Sequence, residues 1–493
     1  MPYKGLIKKD CYQKTYKTIW DTAKRVVDKK KLKWTIEGFQ PFKSPGPDNV
    51  YPILLKEGLS LLTPHLCRLF RACIACGHTP RTWSNVKVAF IPKPGKADYE
   101  DPKSFRPITL SSFLLKTLEK LIDRFLRGGI LKNKPLHKLQ CAYQPGKSTE
   151  TALHYVVGQA EKALNNKEVC LAAFLDVEGA FDRTTFDAIK EAATNHGVNQ
   201  TLRRWIDNML KERIVHASLM GEHIKVRTSR GCPQGGVLSP LLWSLVIDSL
   251  LVELNTGPLT TVGYADDLVI LVNGPVPSAV AEIMQQALNK VKYWCDNRHL
   301  SINPNKTSLI AFTKKRKLKG LDDLHLYGHN LKLSNEVKYL GVTLDKDLNW
   351  KTHANNTIAK AYRVFNMCRS AYGKTWGLKP KIIYWIYCTM IRPIITYGSV
   401  VWWPRVKLKV CKEALLKLQR TVCLAMTGAF KTTPTAAMER ILNLTPLHLA
   451  VEKEARMALY RLVNAGAYAG LAECAGHTKL PENSNRSPHA NAE

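Results

Sequence analysis

Tyr264-Ala265-Asp266-Asp267 lies between two short apolar stretches, Leu259 to Gly263 and Leu268 to Val272, so the chain offers two carboxylates at a hairpin tip. Carboxylate oxygens suit a hard cation such as Mg²⁺, which keeps several waters and completes its shell with substrate phosphates. An Asp-Asp pair in a turn ordinarily does no more than bend or cap the chain, so its meaning rests on a second source of acid. Val169 to Leu175 supplies one: a run of β-favouring and small apolar residues that leads straight into Asp176 and reads as a buried strand ending in a carboxylate. Acids from two segments are what a two-metal clamp on the attacking and leaving oxygens of a phosphoryl transfer requires.

The elements that must position these acids follow from the sequence around them. Beyond Asp176 the chain continues through Val177, Glu178, Gly179, Ala180 and Phe181 to Asp182, and the strand is expected to break at Gly179. Between the two acid segments, Arg230 to Pro240 is rich in glycine and precedes an apolar helix, Leu241 to Leu254. Such a loop lets backbone approach a nucleic-acid strand closely.

Together the three segments resemble motifs A, B and C of reverse transcriptases, with Asp176, Asp266 and Asp267 at the metal-binding acids. Lys43 to Asp48, Trp83 to Lys96 and Phe105 to Leu110 resemble the fingers of non-LTR retroelement enzymes. Trp294 to Thr307 is similar to motif D, and Tyr339 to Val342 to the primer-grip segment. Ile391 to Gly398, Leu418 to Arg420, Thr427 to Pro434 and Thr445 to Leu447 resemble jockey and I-type arthropod elements, so the likeness runs from about residue 40 to about residue 465.

The resemblance implies an α+β fold of the right-hand polymerase type, with fingers, palm and thumb and a helical carboxy-terminal extension. It implies an RNA-directed DNA polymerase that uses two Mg²⁺ ions, Mn²⁺ being possible, held by Asp176, the Val177 carbonyl, Asp266 and Asp267. Lys93 and Arg106 match finger residues that grip the triphosphate. Phe181 matches a steric gate against the ribose 2′-hydroxyl, with ordinary core packing as the alternative; Gln234 would position the templating strand and Lys306 would protonate the leaving group. The implied partners are an RNA template, a DNA primer or nicked target DNA, and deoxynucleoside triphosphates. Two other readings stay open: a viral-type RNA-copying polymerase, which usually presents Gly-Asp-Asp where this chain has Ala265, and a catalytically silent nucleic-acid-binding remnant of a retroelement.

Composition agrees with a nucleic-acid partner. Lys and Arg number 73 against 40 Asp and Glu, a net charge of +33 in 493 residues. That excess neutralises phosphates and releases counterions, so binding is expected to be strongly salt-dependent. The 13 cysteines are odd in number and scattered, which argues against a disulfide framework. Cys73, Cys76 and His78 sit in or after an apolar helical stretch, Leu66 to Cys76, without a fourth ligand or a knuckle turn for zinc. No run is expected to reach the roughly eighteen apolar residues of a membrane span, and the start lacks a signal-peptide core. An intracellular protein of nucleus and cytoplasm is therefore expected.

The expected order of parts is a basic amino-terminal arm over 1–40, fingers and palm over 41–345, a helical thumb and extension over 346–470, and a disordered tail over 471–493. Within the arm, a helix is expected from Tyr12 to Val27, and Lys29 to Lys33 reads either as a phosphate-contacting run or as a solvated cluster. Lys314 to Lys319 marks a basic loop. Helices are expected at Ser148 to Asn165, Pro277 to Arg298, Ile358 to Cys368, Ile382 to Ile391, Cys411 to Met426 and Leu449 to Leu462, from apolar spacing of three and four. Neither an amino-terminal endonuclease nor a ribonuclease H domain has room beside these parts, so the chain is expected to be a fragment of an element or a reading frame from a decayed copy.

Overall fold

A computed structural model describes residues 16–96, 98–219, 222–315, 321, 324–369, 379–467 and 476–478. The chain forms two compact units, each assembled from separate stretches. The first takes Met1–Tyr143, Val177–Glu253 and Val291–Ile302; the second takes Gln144–Asp176, Leu254–Lys290 and Asn303–Glu493. Eight strands build the two main sheets: β1 (Asn85–Pro92), β2 (Phe105–Leu110), β3 (Val169–Asp176), β4 (Ile214–Leu219), β5 (Glu222–Arg227), β6 (Leu259–Tyr264), β7 (Asp267–Gly274) and β8 (Ser308–Phe312).

In the first unit the sheet order is β2-β1-β4-β5. Strand β1 is antiparallel to β2 and parallel to β4, and β5 closes the edge as an antiparallel partner of β4. Helix Phe113–Gly128 starts at Ser112, whose hydroxyl accepts the Leu114 N–H at 3.1 Å, and buries Phe113, Leu115, Leu118, Ile122 and Leu126 at helical spacing. A cap of this kind satisfies one of the donors that a helix start leaves open. Glu119 is buried with those apolar neighbours.

The described part of the amino-terminal segment is largely helical. Residues 16–26 are helical and Lys29–Glu37 forms a second helix capped by Asp28, whose carboxylate accepts the Lys31 N–H at 2.8 Å. Ala23, Val26, Val27, Leu32 and Ile36 are fully buried, so the lysine run is the exposed side of a packed helix. Residues 12–15 of the expected helix lie outside the described residues. Membrane length also needs a correction: Leu59–Cys76 is long and apolar enough to cross a bilayer by length and composition, with mean hydropathy 1.2. It carries Arg68 and Arg71, and Arg71 donates to the Val27 carbonyl at 2.9 Å. One side of it, through Leu66, Phe70, Cys73 and Ile74, is buried, the pattern of a helix packed against protein.

In the second unit the order is β6-β7-β3-β8, all antiparallel. Every residue of β3 is buried except Asp176, and each Leu or Phe so buried contributes about 1.5–3 kcal/mol. Helix Thr149–Asn165 covers these strands with Ala152, Val156, Ala160 and Ala163, small or branched residues that allow close approach to the sheet. A hairpin of Glu336–Tyr339 and Val342–Asp345 leads into helices Lys351–Arg369, Lys409–Thr427 and Leu447–Asn464.

The helix expected over Ile382 to Ile391 is interrupted. Pro380–Ile386 passes through a π-helical turn, Tyr387–Ile391, into Arg392–Thr396. Pro393 lacks an N–H and its ring crowds the carbonyl one turn earlier, so the widened turn accommodates it. Within the tail, His477 and Thr478 are buried, with His477 at 1% exposure. Its backbone N–H donates to Glu161 Oε1 at 3.0 Å, its Nδ1 lies 2.7 Å from Glu161 Oε2, and its carbonyl accepts from Trp403 Nε1 at 2.8 Å. Residues 471–475 and 479–493 lie outside the described residues, as do 316–320 of the basic loop. The described cysteines are free thiols.

Candidate active site

The acids come together in the second unit through strand register. Strands β3 and β7 pair so that Asp176, the last residue of one, stands opposite Asp267, the first of the other. Strands β6 and β7 close the hairpin with Tyr264 opposite Asp267, leaving Ala265 and Asp266 as a two-residue loop. Ala265 adopts φ +57° there. Two-residue hairpin loops require a positive φ because that hand of turn matches strand twist, and a side chain tolerates it at some strain.

Asp267 is half-buried, and its carboxyl is pushed up to about 6, first by burial, then by the neighbouring Asp266 and Asp176 charges, with Lys306 acting the other way. Lys306 Nζ sits 2.6 Å from Asp176 Oδ2. The ammonium is mostly exposed, so the pair contributes little to stability, but it fixes a cation against the acid at the end of β3. Among the described residues no set of three or more His, Cys, Asp or Glu forms a ready metal cage. The like-charge crowding at Asp267 still fits a divalent cation, because magnesium takes only one or two carboxylates from protein and fills the rest of its octahedron with water and phosphate.

Val177 follows Asp176 across the boundary between units. It is buried in the first unit, bridged antiparallel to Ile302. The other candidates also belong to the first unit. Phe181 is half-exposed on a short helix, Ala180–Arg183, which starts at Gly179 with φ +61°. Its ring lies edge-on to Tyr143 at 6.3 Å and tilted toward Trp243 at 6.4 Å. Gln234 donates from Nε2 to Asp182 Oδ2 at 2.6 Å, and its carbonyl accepts the Thr109 N–H at 2.6 Å.

Arg106 is exposed on β2 opposite Ile91, and its guanidinium makes no hydrogen bond or ion pair among the described residues. The ladder extends one step further, where the Lys93 N–H donates to the Ser104 carbonyl at 2.8 Å. Lys93 and Arg106 therefore fall on one face of the β1–β2 hairpin by the period-two rule. Lys93 Nζ donates to the Lys103 carbonyl at 2.9 Å.

Glycine is required at two points of the loop between the acid segments. Gly231 has φ +86°, and a Cβ there would sit 2.5 Å from the Asp182 carbonyl oxygen. Gly235 has φ +112°, and a Cβ would meet the Thr109 carbonyl oxygen at 2.7 Å. The Gly231 N–H donates to the Thr184 carbonyl at 2.8 Å and the Cys232 N–H to the Phe181 carbonyl at 2.6 Å. The loop is thus tied to the backbone that carries Phe181. Asp182, Arg213 and Glu119, which touch this loop, were not singled out by the sequence. Asp182 offered one signal, lying six residues after Asp176 in the same motif; the other two offered none.

Residues 91–344 match the reverse transcriptase (RNA-dependent DNA polymerase) family. The probable RNA-directed DNA polymerase from transposon BS of Drosophila melanogaster is 30% identical over 376 residues, covering 73% of this chain and 40% of that protein. The RNA-directed DNA polymerase from mobile element jockey of Drosophila melanogaster is 27% identical over 436 residues, covering 85% of this chain and 46% of that protein. The chain thus spans less than half the length of these relatives. A solved structure of apo telomerase from Candida tropicalis, truncated from its C-terminal domain, is 14% identical with a TM-score of 0.38 and covers 53% of each chain.

Proposed function

Because the chain belongs to the reverse transcriptase family, whose match takes in just over half its length, we propose that it is an RNA-directed DNA polymerase of a non-LTR retroelement. It would transfer deoxynucleotides to a primer 3′-hydroxyl on an RNA template and release pyrophosphate, with a DNA primer or nicked target DNA supplying the hydroxyl. The observation that carries this reading is Asp176 standing opposite Asp267, with Asp266 in the adjoining turn. In this reading the sheet β6-β7-β3-β8 is the palm, the β1–β2 hairpin belongs to the fingers, and the helices after Trp350 form the thumb and its extension.

Reverse transcriptases generally use divalent metal ions. Two Mg²⁺ ions, or Mn²⁺ in their place, held by Asp176, the Val177 carbonyl, Asp266 and Asp267, would supply a more acidic 3′-hydroxyl and a counter-charge for pyrophosphate. Arg106 binds the triphosphate through its planar fork and Lys93 as a point charge. Gln234, oriented by Asp182, positions the templating strand. Lys306 holds a proton at the acid cluster for the leaving pyrophosphate.

The direct test is extension of a primed RNA by the purified chain with deoxynucleotides and Mg²⁺ or Mn²⁺. Incorporation directed by the template is expected. Binding of primed RNA without incorporation under either metal would overturn the enzymatic reading. Arg106→Ala is expected to lower kcat/KM for deoxynucleotides roughly tenfold to a hundredfold, through KM, because a lost charge-assisted hydrogen bond costs about 1.5–3 kcal/mol. Lys93→Ala should act in the same way. If both variants lose template affinity at unchanged nucleotide KM, these residues lie on the nucleic-acid track instead.

Sugar selection gives a separate test. Phe181 leans on two aromatic neighbours with part of its ring exposed, an arrangement that holds a bulky wall in one place. Phe181→Ala is expected to admit ribonucleotides by opening the space a 2′-hydroxyl would need. An unchanged ratio of deoxy- to ribonucleotide incorporation would make Phe181 a packing residue only.

A further inference from the structure

The loop Gly231 to Val237 is held at its two ends by buried charges. At one end Arg213, 6% exposed, donates from Nη2 to the Gly231 carbonyl at 3.0 Å and to the Arg230 carbonyl at 3.4 Å. At the other end Glu119, 1% exposed, accepts the Val237 N–H on Oε2 at 2.9 Å. Glu119 lies among the apolar residues of helix Phe113–Gly128, where a leucine would fill the space without a desolvation cost. A carboxylate in that place is compensated by the hydrogen bond it makes, and the bond falls three residues beyond Gln234.

We infer that Glu119 is a positioning residue for the polymerase reaction: its carboxylate, by holding the Val237 N–H, fixes the Gln234 to Val237 segment that presents Gln234 to the template. This rests on the reading of the chain as a polymerase. Without the Glu119 contact, the hydrogen bonds left to Gln234 among the described residues are its backbone bond to Thr109 and its side-chain bond to Asp182, and the loop can drift at its carboxyl end.

The charged groups around Glu119 come from several elements. Lys116 and Asp123 flank it on its own helix; Arg213 reaches it from the segment after helix Gln200–Lys211; the Cys232 thiol, pushed up to about 12 by burial, faces it from the loop. Burial raises the Glu119 carboxyl to about 7, against the lowering effects of the Val237 N–H, Lys116 and Arg213, in that order, while Asp123 adds to the rise. The ionised form is the stronger acceptor. Because the Val237 N–H lowers the Glu119 carboxyl, an opening that breaks this bond while Glu119 stays buried is resisted most above neutrality and eases as pH falls through about 7.

Glu119→Gln keeps the shape and an acceptor oxygen but does not titrate. Hydrogen–deuterium exchange of peptides spanning 230–238, corrected for intrinsic rates, reads the clamp whether or not the protein polymerises. Protection in the parent chain should rise about tenfold between about pH 6 and about pH 8, and stay flat in Glu119→Gln. Primer extension by the same two proteins should show kcat/KM rising with pH through neutrality in the parent and a flattened profile, lowered about tenfold above neutrality, in the variant. A thermal melt of the variant close to that of the parent shows that the fold is intact. Identical pH dependence of exchange in both proteins overturns the inference. No extension by either protein, with the difference in exchange present, overturns the polymerase reading and leaves the clamp standing.

Discussion

Asp266→Asn is expected to bind primed RNA as the parent does and to fail to extend it, with activity down by roughly a thousandfold or more. The amide reproduces the shape of the carboxyl, so the two-residue loop between Tyr264 and Asp267 keeps its geometry. It lacks the charge that a hard cation needs from its protein ligands. Stabilisation of charge at a transferring phosphoryl group is worth several kcal/mol, and about 4 kcal/mol already corresponds to a thousandfold in rate. Filter binding and primer extension on one preparation separate the two effects. An Asn variant that extends at the parental rate would remove Asp266 from the chemistry.

Asp267→Asn is also expected to lose extension, and to gain stability in the presence of a chelator. The carboxyl is raised to about 6 from an ordinary value of 3.8 by burial and by Asp266 and Asp176. A raised folded-state value means that the folded chain binds this proton more tightly than the unfolded chain does. Stability is therefore lost as pH climbs from about 4 to about 6, and the full cost persists above that window. Two pKa units correspond to about 2.7 kcal/mol, reduced to about 2 kcal/mol for a half-buried group. Removing the carboxyl should raise the melting temperature at neutral pH by about 4 °C and flatten its decline with pH. An unchanged melting temperature and slope would show that the crowding of acids has no energetic consequence. Activity and stability moving in opposite directions is the mark of a site whose charges are held together for chemistry.

The acids were legible in the sequence because each sits where a run of apolar β-formers stops. Their register was not, since nothing in Val169 to Leu175 says which residue of β7 will stand opposite Asp176. The loop glycines could be read as permissive backbone, but the contacts that demand them at 231 and 235 are with Asp182 and Thr109, remote in sequence. Glu119 escaped notice for a related reason. In Leu118-Glu119-Lys120 it resembles any surface acid of an amphipathic helix, and the arrival of the Val237 N–H, with Lys116 and Arg213 near it, makes burial tolerable. At the tail, one histidine tied to Glu161 outweighs a polar composition that carried no sign of packing. The lysine run at 29–33 was ambiguous because charge alone cannot tell a free arm from the outer side of a helix whose inner side is Leu32 and Ile36.

The threading of the chain sets limits on how it can be divided or recombined. The path changes unit after Tyr143, Asp176, Glu253, Lys290 and Ile302. A crossover between two related genes after any residue from 144 to 301 therefore yields a hybrid in which both units are mosaics. Tyr143 and Ile302 bound that region: everything after Tyr143 contains the second unit whole, and everything up to Ile302 contains the first unit whole. A crossover after Ile302 would transplant Lys306 and the carboxy-terminal helices as a block while leaving all three acids with their parent, which makes that junction a seam for chimaeras that keep the first unit intact.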